Sequence, residues 1–158
     1  KIKFYIDCKL KMIKEKFNKK DKWNTILNLN NDELDWKKIF TLPSSCTNDI
    51  TIRSFQYKYI CWIIPTNKYL LQCKLSNSSL CSLCAEYIET IEHLFWECKY
   101  SQILWNNLST LLNSVNINLK FDSKLVSFGL LQKELHGNLV NCLILLLKFF
   151  IYKMRLRE

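Results

Sequence analysis

Two glycines and two prolines are all that 158 positions hold of the residues that break regular structure. An average chain carries about 12% of the two combined. Sandwiches and barrels use Gly and Pro at their many tight turns, so this chain is poorly supplied for an all-β fold. Helices need such residues only at their ends. The expected fold class is therefore mostly α. Apolar residues make up 49% and charged residues 23%, ordinary globular usage that can build one core.

Hydrophobic periodicity supports the same class. Ile2, Ile6, Leu10, Ile13 and Phe17 recur at three and four, which predicts a basic amphipathic helix over residues 1–22, continued by Trp23 to Leu29. Asp32 to Phe40 predicts a short helix ended by Leu42-Pro43-Ser44-Ser45. Asp49 is positioned to cap a helix over 50–64, stopped by Pro65, and Thr66 to cap one over 67–75. Further helices are expected over 101–112 and 123–130, the second capped by Asp122. Residues 113–121 read as a loop or short strand. The last helix is expected over 138–156. There Asn141, Lys148 and Arg155 fall seven apart on one stripe and nearly everything else is apolar, a pattern of a helix packed over most of its surface.

The charge is +9, from 23 Lys+Arg against 14 Asp+Glu. Such a surplus suits a polyanionic partner or an acidic surface. It is unevenly spread. Residues 1–22 hold nine Lys and three acids, while the acids Glu86, Glu89, Glu92 and Glu97 cluster where no Lys or Arg occurs, between Cys81 and Cys98. Candidate phosphate-binding residues are Lys14, Lys16, Lys19 and Lys20, with Arg53, Lys58, Lys68 and Lys74 on the helices that follow; Lys148, Lys153, Arg155 and Arg157 form a third basic group. Phe55, Tyr57, Tyr59, Trp62 and Tyr69 interleave with the second group, where rings can stack on bases or pack in the core. The stretch Leu139 to Tyr152 is about 14 residues long and holds Lys148, short and polar for a membrane span, so no membrane partner is expected.

Eight cysteines are sparse for a disulfide scaffold, and the first 22 residues carry no apolar signal region. A reducing, intracellular setting (cytoplasm and nucleus) is expected, with metal binding the alternative to burial. Cys81-Ser82-Leu83-Cys84, His93 and Cys98 spell C-x2-C-x8-H-x4-C. A C-x2-C turn sets two thiolates on one side of a knuckle. Thr90 can cap a short helix from which His93 projects, and Cys98 closes the set. Three sulfurs and one imidazole match tetrahedral Zn2+, and four protein ligands leave no open position, so the zinc is expected to be structural. A retroviral-type knuckle has four residues, not eight, before its His. Cys73 is the rival ligand, and the other cysteines are expected to be packed thiols. No set of catalytic residues emerges: there is no phosphate-cradling Gly-rich loop and no nucleophile elbow.

Thr51-Ile52-Arg53-Ser54-Phe55-Gln56-Tyr57-Lys58, then Ile63-Ile64-Pro65-Thr66-Asn67, the two knuckle cysteines, Glu89-Thr90-Ile91-Glu92-His93-Leu94-Phe95, Cys98 and Leu104-Trp105 together resemble one family. It is the zinc-binding domain that follows the reverse transcriptase in non-LTR (LINE-type) retrotransposon polyproteins. The likeness runs from about Trp36 to Trp105. It implies that Cys81, Cys84, His93 and Cys98 ligate one Zn2+. It also implies an upstream RNA-directed DNA polymerase in cis and a part in binding element RNA or target DNA. The chain opens on Lys1 rather than Met, as a piece of a longer polyprotein would. The expected organisation is a basic helical extension over 1–30, a zinc-binding domain over 31–112 with its knuckle at 81–98, and a helical tail over 113–158. The expected function is a non-enzymatic, nucleic-acid-binding accessory module. The alternative is a structural module that packs on the polymerase without nucleic-acid affinity of its own.

Overall fold

The structure is a computed structural model that describes residues 19–28, 34–131 and 136–156. The helix expected over 1–22 lies outside these residues up to position 18, as do Cys8, Lys14, Lys16, Asp32, Glu33 and Arg157. Among the described residues seven α-helices follow one another: α1 (Lys19–Leu27), α2 (Trp36–Cys46), α3 (Ile50–Ile60), α4 (Asn67–Gln72), α5 (Lys99–Ser114), α6 (Ser123–Phe128) and α7 (Gly137–Arg155). A single π-helical turn, His93–Glu97, sits between α4 and α5. Among the described residues the only β-pairing is one isolated antiparallel bridge, Leu80 with Ile88, so the fold is mostly α.

Local chemistry starts the helices. The Asp35 carboxylate accepts from Lys38 N, Asp49 from Thr51 N and Ile52 N, and Asp122 from Leu125 N. Each satisfies a backbone N–H that an open helix start would leave bare. The same N–H groups hold the Asp35 and Asp49 carboxyls below the usual range.

Helix ends explain the scarcity of glycine. Trp62, Lys74 and Asn116 take left-handed φ values of 57°, 55° and 62°. Each is followed by an N–H that reaches back five residues: Ile63 to Lys58 O, Leu75 to Leu70 O, Ile117 to Leu112 O. These are three Schellman caps built without glycine, at a strain of about 1–2 kcal/mol for each side chain. They end α3 at Ile60 rather than 64, and α4 at Gln72 rather than 75. Conversely, α2 does not stop at Pro43. It continues to Cys46, because Pro43 gives up one N–H while its own carbonyl still accepts from Thr47 N at 3.1 Å. The segment expected as loop or strand before Phe121 is loop.

Apolar side chains of α1–α3 and α5–α7 meet in a main core around Tyr59, which is 2% exposed, and Leu42, Ile52 and Leu145 form a small second cluster. The Tyr59 ring lies 5.5 Å from Trp23, 6.5 Å from Phe55 and, edge-on, 5.0 Å from Phe95. Its hydroxyl meets Ser127 Oγ at 3.1 Å. Such ring pairs contribute about 0.5–1.5 kcal/mol each beyond the area they bury. Trp23 joins α1 to this centre and donates from Nε1 to Ile60 O at 3.0 Å. Packing also decides between the two readings of the aromatic row: Phe55 and Tyr59 are core, Trp62 and Tyr69 are half-buried, and Tyr57 is exposed.

The last helix corrects the sequence reading. α7 packs on α2 and α3 and touches the π turn, but it does so with its polar stripe inward. Asn141, Lys148 and Arg155 are all buried. Asn141 exchanges two hydrogen bonds with the backbone of Leu130. Lys148 donates to Ser127 O at 3.1 Å and lies 4.4 Å over the Tyr59 ring. Leu139, Leu146, Phe150, Met154 and Leu156 face out and are exposed. The helix is thus packed on one face only. At 19 residues it is also long and apolar enough, by length and composition, to cross a membrane, which the 14-residue estimate understated.

Candidate metal centre

A tight knuckle carries the first two cysteines. Cys81 N donates to Tyr87 O and Ala85 N to Cys81 O, both at 2.8 Å, and Glu89 N returns to Ser79 O. Ala85, at φ 55°, turns the chain just past Cys84. Thr90 caps the next segment as the sequence predicts: its Oγ1 accepts from His93 N at 3.0 Å. From His93 the backbone widens into the π turn, and Cys98 N bonds to His93 O, five residues back, at 2.7 Å. Single π turns of this kind often stand where a side chain must be re-aimed.

Together these pieces bring Cys81, Cys84, His93 and Cys98 to one point. Their ligand atoms all lie within 4.8 Å of one another. Cys81 Sγ and Cys98 Sγ are 4.0 Å apart, and Cys84 Sγ is 3.4 Å from His93 Nε2. A zinc tetrahedron with Zn–S of about 2.3 Å and Zn–N of about 2.0 Å has edges of about 3.5–3.8 Å. The donor set therefore fits one Zn2+, with His93 presenting Nε2. Cys81, His93 and Cys98 are buried and Cys84 is half-buried. Cys73, the rival ligand, is buried at the end of α4 and stands apart from the group. Of the remaining described cysteines, Cys61 is buried and Cys46 and Cys142 are half-buried.

The protein prepares the sulfurs to carry charge unequally. Desolvation opposes the Cys84 thiolate, but N–H groups of Glu86 and Tyr87 and the His93 ring outweigh it and bring the thiol down to about 7. Desolvation wins at Cys81, pushed up to about 12 despite N–H groups of Cys84 and Leu83. It wins at Cys98 too, although Tyr100 and Ser101 at the start of α5 donate to that sulfur. Amides directed at sulfur are the support a zinc thiolate needs.

The neighbouring shell braces the turn that bears His93. Carbonyls of Leu94, Phe95 and Trp96 accept from Ser101 Oγ, Trp105 Nε1 and Gln102 Nε2 of α5. Glu97 Oε2 lies 3.9 Å from His93 Nδ1.

Glu89 is the residue that sequence reasoning undervalued. It reads there as one of four acids that make the knuckle electronegative. In the structure its side chain is fully buried, 2.7 Å from Arg155 Nε. It also accepts from Asn67 N at 2.8 Å, Ser82 N at 2.9 Å and Ser82 Oγ at 3.0 Å. Ser82 lies between the knuckle cysteines and Asn67 opens α4. Glu89 therefore satisfies the start of α4, where Thr66 stands at the cap position but makes no cap bond. Glu86 in turn pairs with Lys99. Two of the four acids thus have cationic partners. The available signal was Arg155, a cation on the polar stripe of an otherwise apolar helix.

Most of the expected phosphate-binding residues are dispersed. Lys58 on α3, Lys68 on α4 and Lys74 at the end of α4 are exposed. Arg53 is half-buried and partly committed, donating to Thr47 O and Asn48 Oδ1. Lys19 and Lys20 open α1, with side chains outside the described residues. Arg155 leaves the C-terminal basic group for Glu89, and Lys148 leaves it for the core.

A Cys3His group on a helical scaffold supports a zinc-binding module. The comparison with known families agrees. The family model described as zinc-binding in reverse transcriptase matches residues 17–105. The match takes in α1 through the first half of α5 and the whole metal group, and it reaches further toward the N-terminus than the resemblance seen from Trp36. Since it spans more than half of the chain, the chain belongs to the family of zinc-binding domains of reverse transcriptases.

Proposed function

We propose that this zinc-binding domain is a nucleic-acid-binding accessory module of a non-LTR retrotransposon reverse transcriptase. Cys81, Cys84, His93 and Cys98 hold one structural Zn2+, and basic side chains outside the knuckle hold the phosphates of element RNA or target DNA. The observation that carries this reading is the distribution of charge on the folded chain. From Ile50 to Ala85 there is no carboxylate, and Lys58, Lys68 and Lys74 are exposed there. Lys14, Lys16, Lys19 and Lys20 extend the basic set toward the N-terminus. The thiol-rich site suits a reducing compartment.

Filter binding of the full chain to single-stranded RNA at a series of salt concentrations tests it. Four lysines that each meet a phosphate give a log–log slope of about −3, at about 0.7 per contact. Undetectable binding, or tight binding indifferent to salt, overturns the reading.

A second reading is favoured by one specific observation, the apolar outward face of α7. A module that packs on its polymerase would cover Leu139, Leu146, Phe150 and Met154. On that reading neutralising Lys14, Lys16, Lys19 and Lys20 leaves RNA affinity of the complete polymerase unchanged.

A further inference from the structure

The basic half of the molecule carries an aromatic surface that charge alone does not explain. Phe40 on α2 and Tyr57 on α3 are 43% and 54% exposed. Their ring centroids are 6.2 Å apart, with planes tilted by 49°. Trp36, one turn before Phe40, backs it at 6.3 Å. Exposure of two large rings side by side costs hydrophobic stabilisation that an inward rotation would recover.

The surroundings state the chemistry of what covers them. Lys37 lies one turn before Phe40 on α2, Lys58 follows Tyr57 on α3, and both are exposed. Asp49 is the only acid between Trp36 and Ala85. Of the other aromatics of the interleaved row, Phe55 and Tyr59 lie in the core, Trp62 is covered by Lys22 Nζ at 3.6 Å and by Trp23 at 4.8 Å, and Tyr69 is half-buried. Open rings flanked by ammonium groups are the combination that binds single strands, where bases stack on the rings and lysines meet the phosphates. A duplex keeps its bases stacked on each other and offers such rings nothing.

We infer that Phe40 and Tyr57 form a stacking platform for unpaired bases, with Lys37 and Lys58 holding the adjoining phosphates, so that the domain prefers single-stranded to double-stranded nucleic acid. This rests on the nucleic-acid reading above and adds to it a site and a strand preference.

The test uses the full chain and two probes: a fluorescein-labelled oligo(U) of about twelve nucleotides, within the site sizes such grooves cover, and a labelled duplex. The expected result is that Phe40→Ala/Tyr57→Ala binds oligo(U) about tenfold more weakly or worse, with its salt slope and duplex affinity unchanged. Both residues are exposed, and an unshifted thermal melt checks that the variant folds. Tyr57→Trp retains binding, and its emission is quenched by oligo(U) beyond the change seen in the wild type. If the wild type binds oligo(U) and the double variant binds it equally well, the platform is wrong and the nucleic-acid reading stands. If the double variant loses both probes alike, the rings do not select unpaired bases and the inference falls. If the wild type binds neither probe, both readings fall; retention of the polymerase domain by the wild type but not the double variant then makes this surface a protein-docking face.

Discussion

Gly129 ends α6 at φ 75° and ψ −175°, a region open in practice only to glycine. A Cβ built there would stand 2.5 Å from Asn141 Oδ1 and 3.1 Å from Leu42 Cδ1. Asn141 cannot retreat, because it holds both polar groups of Leu130. Gly129→Ala should therefore lower stability by about 2–4 kcal/mol, backbone strain and crowding together. Urea unfolding measures it; a change under half of that would mean the 128–131 turn can shift. Lys148 makes the opposite kind of prediction. Burial drives its pKa well below the usual 10.5. Between the two values the unfolded chain carries a proton that the folded one does not, so stability rises with pH across that window. The slope approaches about 1.4 kcal/mol per pH unit. Tyr59, raised by burial, acts in the opposite sense only above about pH 10. Lys148→Met should flatten the slope and raise stability at neutral pH, read from urea midpoints at neutral and mildly alkaline pH. An unchanged slope would show that Lys148 is not the group responsible.

Among the elements, α7 and the knuckle are joined by one ion pair. Removing a single partner of a buried pair leaves a charge without compensation and costs about 3–5 kcal/mol, whereas removing both is far milder. Arg155→Met should accordingly destabilise the fold by about that amount. Glu89→Gln added to it should recover part, since the neutral amide leaves no buried charge and its one oxygen still accepts from Asn67 N or from Ser82 N. A double-mutant cycle on urea midpoints reads the coupling, and additive losses would mean that Glu89 and Arg155 act separately. The pair also explains why α7 turns its polar stripe inward. Asn141, Lys148 and Arg155 each meet a defined acceptor, on Leu130, Ser127 and Glu89, so the polar groups orient the helix and the apolar remainder faces out.

For the whole molecule, metal and core divide the work. Trp23, Ile39, Tyr59, Ile144 and Ile151 are buried on helices outside the knuckle sequence. The 76–100 segment, in contrast, has one isolated bridge and the π turn. Binding of structural zinc contributes on the order of 10 kcal/mol in small peptides, and here that energy is concentrated on the knuckle. Chelation should speed amide exchange over 76–100 and leave α3 and the middle of α7 protected, as exchange followed by mass spectrometry would show. Uniform loss of protection would mean that the core depends on the metal. Cys84→Ser should lower zinc below one per chain, and one tightly held zinc in that variant would remove Cys84 from the ligand set.

Much of this was legible along the chain because it depends on near neighbours. The C-x2-C-x8-H-x4-C spacing, the Asp49, Asp122 and Thr90 caps and the helical class follow from contacts a few residues long. Helix ends were misplaced where Trp62, Lys74 and Asn116 adopt a conformation that composition does not announce. The fates of Glu89, Lys148 and Arg155 were illegible for a different reason. Arg155 lies 66 positions from Glu89, and Ser127 and Tyr59 lie 21 and 89 positions from Lys148, and a charged side chain becomes a core residue only when a distant partner is folded against it. Spacing accounts for a metal group on a helical domain; long-range packing accounts for which cations remain free to meet a ligand, because burial and pairing remove the others from solvent.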